Sequence, residues 1–122
     1  MDMTCSSSML GLRDFGRQVD GNWILGLEVS VPGDKPSLID RIETLVRSGA
    51  GKFVLDVERL SSVDSATMAE LVRAQEVVRA HHGRIVLVKV SARLRRYLAR
   101  TGLLTYFELA VSEAAALSLL AE

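Results

Sequence analysis

The residues best placed to do chemistry lie in one short run, Asp64-Ser65-Ala66-Thr67. It follows the apolar segment Phe53-Val54-Leu55-Asp56-Val57 and the loop Glu58 to Val63, and a helical pattern begins directly after it. A helix starting there leaves its first backbone amides without intrahelical partners, so Asp64 or Ser65 is expected to cap it by accepting from them. The same amides and the positive end of the helix dipole favour an added anion, which makes Ser65 and Thr67 the candidate phosphorylation sites. A phosphate here would set nearly two negative charges beside Asp64. Those charges would repel the acidic groups of a partner that had packed around a neutral hydroxyl. The candidate surface at this helix N-terminus, for whatever partner such a switch would serve, comprises Asp64, Ser65, Ala66, Thr67, Met68, Glu70 and Arg73. Its outward part, with Thr67, Glu70, Arg73, Ala74 and Val77, offers a mixed patch to a partner helix. Taken singly, each of these residues is what an ordinary solvated helix face carries.

Other chemistries find less support. Nucleophilic catalysis needs a base beside the nucleophile, and no histidine is placed to serve Ser65, so no catalytic residues and no enzyme activity are expected. His81 and His82 are adjacent, diverge on a helix and have no carboxylate at a ligand spacing, so neither a metal nor a cofactor is expected. The single Cys5 can form no internal disulfide and suits a reducing, cytoplasmic setting. Asp56 stands where a two-component receiver domain carries its acceptor aspartate. Such a domain also needs an acidic pair after its first strand to hold magnesium, and a lysine after its last. Asp14 and Asp20 are not adjacent, and Lys89 belongs to the Ile85 segment, so the receiver is the weakest of the readings. From residue 77 to 107 the chain has seven basic residues and no acid: Arg79, Arg84, Lys89, Arg93, Arg95, Arg96 and Arg100. Arg93, Arg96 and Arg100 share one helical face. Aromatic residues make up only 5% and no nucleic-acid motif accompanies the run, which leaves a solvated face or docking to an acidic partner.

The elements that must position these residues are legible in the apolar pattern. The chain has 122 residues, 48% apolar and 25% charged, with 15 basic and 15 acidic side chains. That is one ordinary globular domain with no global field to attract nucleic acid or membrane. Residues 1–8 are expected to be a flexible N-terminus and 9–122 a single domain, without signal peptide or membrane span. Strands are expected at Trp23–Leu27, Phe53–Val57 and Ile85–Val90, with a short one at Tyr106–Leu109. Met9–Phe15 is a weaker candidate for pairing with residues 23–29 across a turn near Asp20-Gly21-Asn22. Helical periodicity marks Leu38–Val46 after Pro32-Gly33-Asp34 and Pro36, then Met68–Val78 up to His81-His82-Gly83, and Leu94–Leu98 up to Gly102. A last short helix is capped by Ser112. Along the second helix, Met68, Leu71, Val72, Gln75 and Val78 are expected to face inward. Repeated strand-helix-strand units imply an α/β fold with parallel pairs and binding surfaces at the carboxyl ends of the strands.

Together these pieces resemble the STAS domains of anti-sigma factor antagonists and of sulfate transporter tails. The resemblance runs from about Trp23 to Leu120. It rests on Asp56 eight residues before Asp64-Ser65, on Gly83-Arg84-Ile85-Val86-Leu87-Val88, and on Ser91-Ala92-Arg93-Leu94-Arg95-Arg96 leading to Thr101-Gly102-Leu103 and Phe107. It implies a STAS-like single domain with a four- to five-stranded mixed sheet and helices packed around it. It also implies partner switching: binding to a serine kinase of the histidine-kinase-like ATPase type, the anti-sigma factor, with phosphorylation breaking the complex. Phosphorylated members typically read Asp-Ser-Ser-Gly or Asp-Ser-Thr-Gly, with the acceptor two residues after the aspartate; here that position is Ala66. Alanine accepts no phosphate. Either a neighbouring hydroxyl, Ser65 or Thr67, serves instead, or the domain binds without being switched. The second case suits a cytoplasmic STAS accessory subunit of an ABC-type lipid transporter, or a non-phosphorylated scaffold component.

Overall fold

The structure is a computed structural model that describes residues 10–12, 16–29, 37–60 and 64–121. The expected flexible terminus at 1–8, Cys5, Asp14, the helix-start signals at 32–36 and residues 61–63 of the loop lie outside them.

Asp20 and Gly21 carry φ of 52° and 82°, two successive left-handed residues that join β2 (Arg17–Val19) to β3 (Asn22–Val29). A two-residue loop of this kind matches the twist of the strands it joins, and glycine accepts the second position without strain. The turn near Asp20-Gly21-Asn22 is thus where the sequence places it, but its partner arm is Arg17–Val19. β1 (Leu10–Leu12), from within the expected Met9–Phe15 arm, pairs further along the same edge against Leu27–Val29. A loop of two residues fixes which residues can face Asn22–Ile24. Arg17 and Gln18 are exposed edge residues, so they carry no apolar signal.

From β3 the chain alternates: α1 (Leu38–Arg47), β4 (Lys52–Asp56), α2 (Ser65–Ala80), β5 (Arg84–Val88), α3 (Ala92–Arg100), β6 (Glu108–Ala110) and α4 (Glu113–Leu120). The strands form one mixed sheet in the order β1-β3-β4-β5-β6, with β2 also on β3. Six strands therefore fill five positions, because β1 and β2 share one edge. The pairs β3–β4, β4–β5 and β5–β6 are parallel, and Trp23, Phe53 and Ile85 lie in one row across them.

Side chains alternate across a strand, and here both faces are covered, which is why these strands read as continuous apolar runs. Leu25, Leu27, Phe53, Leu55, Ile85 and Leu87 form the larger core with the inner faces of α1, α2 and α3. Ile24, Val54, Val86 and Val88 form the smaller one with Ala116 and Leu120 of α4. α1 buries Leu38, Ile39, Ile42, Leu45 and Val46, the set its periodicity predicts. α4 is tied at both ends. Arg17 donates to Glu113 at its start at 2.6 Å, and Lys52 and Arg84 donate to the Leu120 and Leu119 carbonyls at its end, complementing the helix dipole.

A candidate partner-binding surface at the start of α2

Parallel strands with helical crossovers bring α2, α3 and α4 to begin at the same end of the sheet, and each start is closed by a side chain. Asp64 Oδ1 accepts the Thr67 amide at 2.8 Å, Ser91 Oγ the Leu94 amide at 3.1 Å, and Ser112 Oγ the Ala115 amide at 3.1 Å. The expected cap of α2 is thus Asp64, which leaves the Ser65 hydroxyl exposed in the first turn.

The approach from β4 is held by Asp56. Its Oδ1 accepts the Glu58 amide at 3.0 Å, and its Oδ2 lies 3.5 Å from Lys89 Nζ, which also stands 3.7 Å from Glu58. Asp56 and then Glu58 raise the Lys89 ammonium above its ordinary range. Lys89 directly follows β5, at a φ of 60°. Asp56 is therefore a buried loop anchor. The receiver arrangement fails on register: Gly26 faces Asp56, whereas Asp20 lies beyond Asn22, four strand residues or about 13 Å toward the opposite end of the sheet.

Along α2 the structure separates the expected surface residues. Asp64, Ser65, Ala66 and Arg73 are exposed and Glu70 is half-buried, while Met68 and Thr67 are buried, Thr67 to 1% exposure. Ala74 is also buried and Val77 half-buried. The expectation of an outward Thr67 and Ala74 is corrected here: the inner face comprises Thr67, Met68, Leu71, Ala74, Gln75 and Val78. Val72, expected inside, lies at the margin and is half-buried. The cause is α1, which packs beside α2 on the same face of the sheet. Burial raises the Glu70 carboxyl above its ordinary range, opposed by Arg73 and by the backbone amide of Ile39 in the first turn of α1. On the other flank Gln75 Nε2 donates to the Tyr106 carbonyl at 2.7 Å, and Arg79 lies over the Tyr106 ring at 5.3 Å. A helix wedged on two sides has a wider buried arc than one resting on a sheet alone. The outward stripe is Ser65, Ala66, Ala69, Arg73 and Glu76. Ala69 and Glu76 were missed because alanine fits either face and Glu76 lies outside the expected patch.

A family model described as "Mlab, STAS domain" matches residues 33–112, about two thirds of the chain. The chain belongs to the STAS-domain family. The match takes in the loop after β4, all of α2 and the whole of α3. Solved STAS-like structures share the fold at low identity. An anti-sigma factor antagonist from Mycobacterium paratuberculosis is 20% identical, with a TM-score of 0.73 over 98% of each chain. An anti-sigma-factor antagonist (STAS) domain protein from Planctomyces limnophilus is 14% identical, with a TM-score of 0.74 over 92% of this chain and 99% of that one. The Bacillus cell fate determinant SpoIIAA, in its phosphorylated form, is 20% identical, with a TM-score of 0.63 over 90% and 98%. No curated protein matches the chain. STAS domains are non-catalytic regulatory domains. Among the described residues no group of three histidine, cysteine or acidic side chains is disposed to hold a metal, and no helix of this STAS domain is long and apolar enough to cross a membrane.

Proposed function

We propose that this STAS domain is an anti-sigma factor antagonist-like regulator of transcription that binds a histidine-kinase-like serine kinase, the anti-sigma factor, through the start and outward stripe of α2. We further propose that phosphorylation of Ser65 releases it. The observation that carries this reading is the contrast between the two hydroxyls. Ser65 is exposed in the first turn of a capped sixteen-residue helix, whereas the Thr67 oxygen is buried. A kinase reaches the first and not the second. Transfer moves the γ-phosphoryl group of ATP to Ser65 Oγ, with ADP leaving and the hydroxyl proton passing to a base or to water. The product charge is tolerated by the free helix end, while in a complex it meets whatever carboxylates the partner had set against the neutral hydroxyl.

The test is calorimetric binding to the ATPase domain of such a kinase from the source organism with ADP, followed by site mapping after incubation with ATP. Phosphate at Ser65 and at least tenfold weaker binding of Ser65→Glu, about 1.4 kcal/mol, are the expected results. Unchanged affinity of Ser65→Glu overturns the switch. Ala66 favours a second reading, a non-switched accessory subunit of an ABC-type lipid transporter that uses the same stripe. Binding to a transporter ATPase subunit, with no phosphate on Ser65 after ATP, would establish that reading instead.

A further inference from the structure

α3 carries four arginines in nine residues, and all four are exposed: Arg93, Arg95, Arg96 and Arg100. Leu94 and Leu98 turn into the core on the opposite side and Tyr97 packs against its margin, so burial accounts for those three positions and not for the charge carried outside. At the start of α3 the charge also runs against the helix dipole, whereas Arg100 in the last turn complements it. The first turn has no acidic residue and includes Arg93 near the positive end. Among the described residues Arg95, Arg96 and Arg100 form no ion pair. The chain as a whole has no net charge, so this face is a local excess and not part of a general basic coat.

Arg93, Arg96 and Arg100 follow one another at i, i+3 and i+7, a straight row about 10 Å long. A second helix bearing carboxylates at the same spacing meets that row along its whole length. Arginine forks suit such partners, and the scarcity of aromatic residues gives bases nothing to stack on. We infer that the outward face of α3 is a second docking surface, separate from the stripe on α2, for an acidic helical segment of a protein partner.

The test is a titration of the isotopically labelled full chain, followed by backbone amide shifts. The probe is a synthetic helical peptide with glutamates at its first, fourth and eighth positions in an alanine-glutamine background. The control is the same composition with the glutamates on alternating faces. The expected result is shifts concentrated in residues 92–101, with the start of α2 unmoved. Binding should weaken as salt rises from about 0.1 M to about 1 M, where the screening length falls from roughly 10 Å to roughly 3 Å. Charge reversal in Arg93→Glu, Arg96→Glu, Arg100→Glu is expected to weaken the matched peptide roughly tenfold, as three exposed pairs would. It should also create binding to the equivalent lysine peptide. If thermal melting shows that variant to be unfolded, the Arg→Gln triple replaces it, with the same expected loss. Equal shifts with both glutamate peptides, or none with either, overturn the inference. So do stronger responses of α3 to anionic phosphatidylglycerol vesicles or duplex DNA at matched charge, and shifts that grow with protein concentration alone, which would assign the face to a second copy. Because Ser65 and its stripe are untouched, failure here leaves the α2 reading standing, and failure of Ser65→Glu leaves this one.

Discussion

Ser65 and Thr67 are two residues apart and meet opposite surroundings, because the first turn of α2 rolls one hydroxyl outward and the other beneath the helix. Two glutamates show the same dependence on position, with opposite signs for stability. Glu108 accepts two bonds from Arg84, which hold its carboxyl below the ordinary value of 4.5 despite some burial. A depressed acid stabilises the fold above its unfolded value, and that contribution is lost as pH falls through the folded one. Glu70 is the reverse: burial raises it, and one of its oxygens has no hydrogen-bond partner. Its cost is absent below 4.5 and grows as pH rises through the raised value. Glu70→Gln is therefore expected to melt higher than wild type at pH 7 and to lose that advantage near pH 4, whereas Glu108→Gln melts lower at pH 7 and converges with wild type in acid. Thermal melts across pH check both; a Glu70→Gln protein less stable at pH 7 would contradict the placement of that carboxyl beside α1. Residue types and spacing were enough to narrow the cap of α2 to Asp64 or Ser65, and the structure places it at Asp64. The fate of Thr67 was not legible, since a threonine at that position suits either face.

At the scale of elements, the joint between α2 and β5 is the most tightly constrained. A Cβ on Gly83 would lie 2.4 Å from the Gly51 carbonyl oxygen and 2.7 Å from Val78, while the Arg84 amide donates to that same carbonyl at 2.8 Å. The backbone ahead of β4 thus passes directly against the end of α2. Gly83→Ala is expected to cost roughly 1–3 kcal/mol, as overpacking does. Gly51→Ala, with nothing within 4 Å of its added carbon, should cost far less, and denaturant midpoints compare the two. His81-His82-Gly83 announces the end of the helix from sequence alone. The close approach to Gly51 is long-range and has no local signature. The rotation of α2 was hidden for a related reason. Periodicity finds the side of a helix that rests on the sheet, but the contribution of α1 depends on how two separate segments come to lie side by side. The Arg17–Val19 strand escaped notice because its polar residues belong to an edge.

For the molecule as a whole, the alternation of apolar runs and amphipathic stretches specified the parallel sheet. That sheet in turn places the starts of α2, α3 and α4 at one end. The proposed seat of the protein partner is the exposed start and stripe of α2. It is most directly tested by amide hydrogen exchange of the full chain alone and in complex with the kinase or transporter subunit that it retains from its own cells. Protection on binding is expected at residues 64–76 and along the loop after β4, with α4 unchanged. Unaltered exchange through 64–76 while a stable complex forms would contradict that proposal.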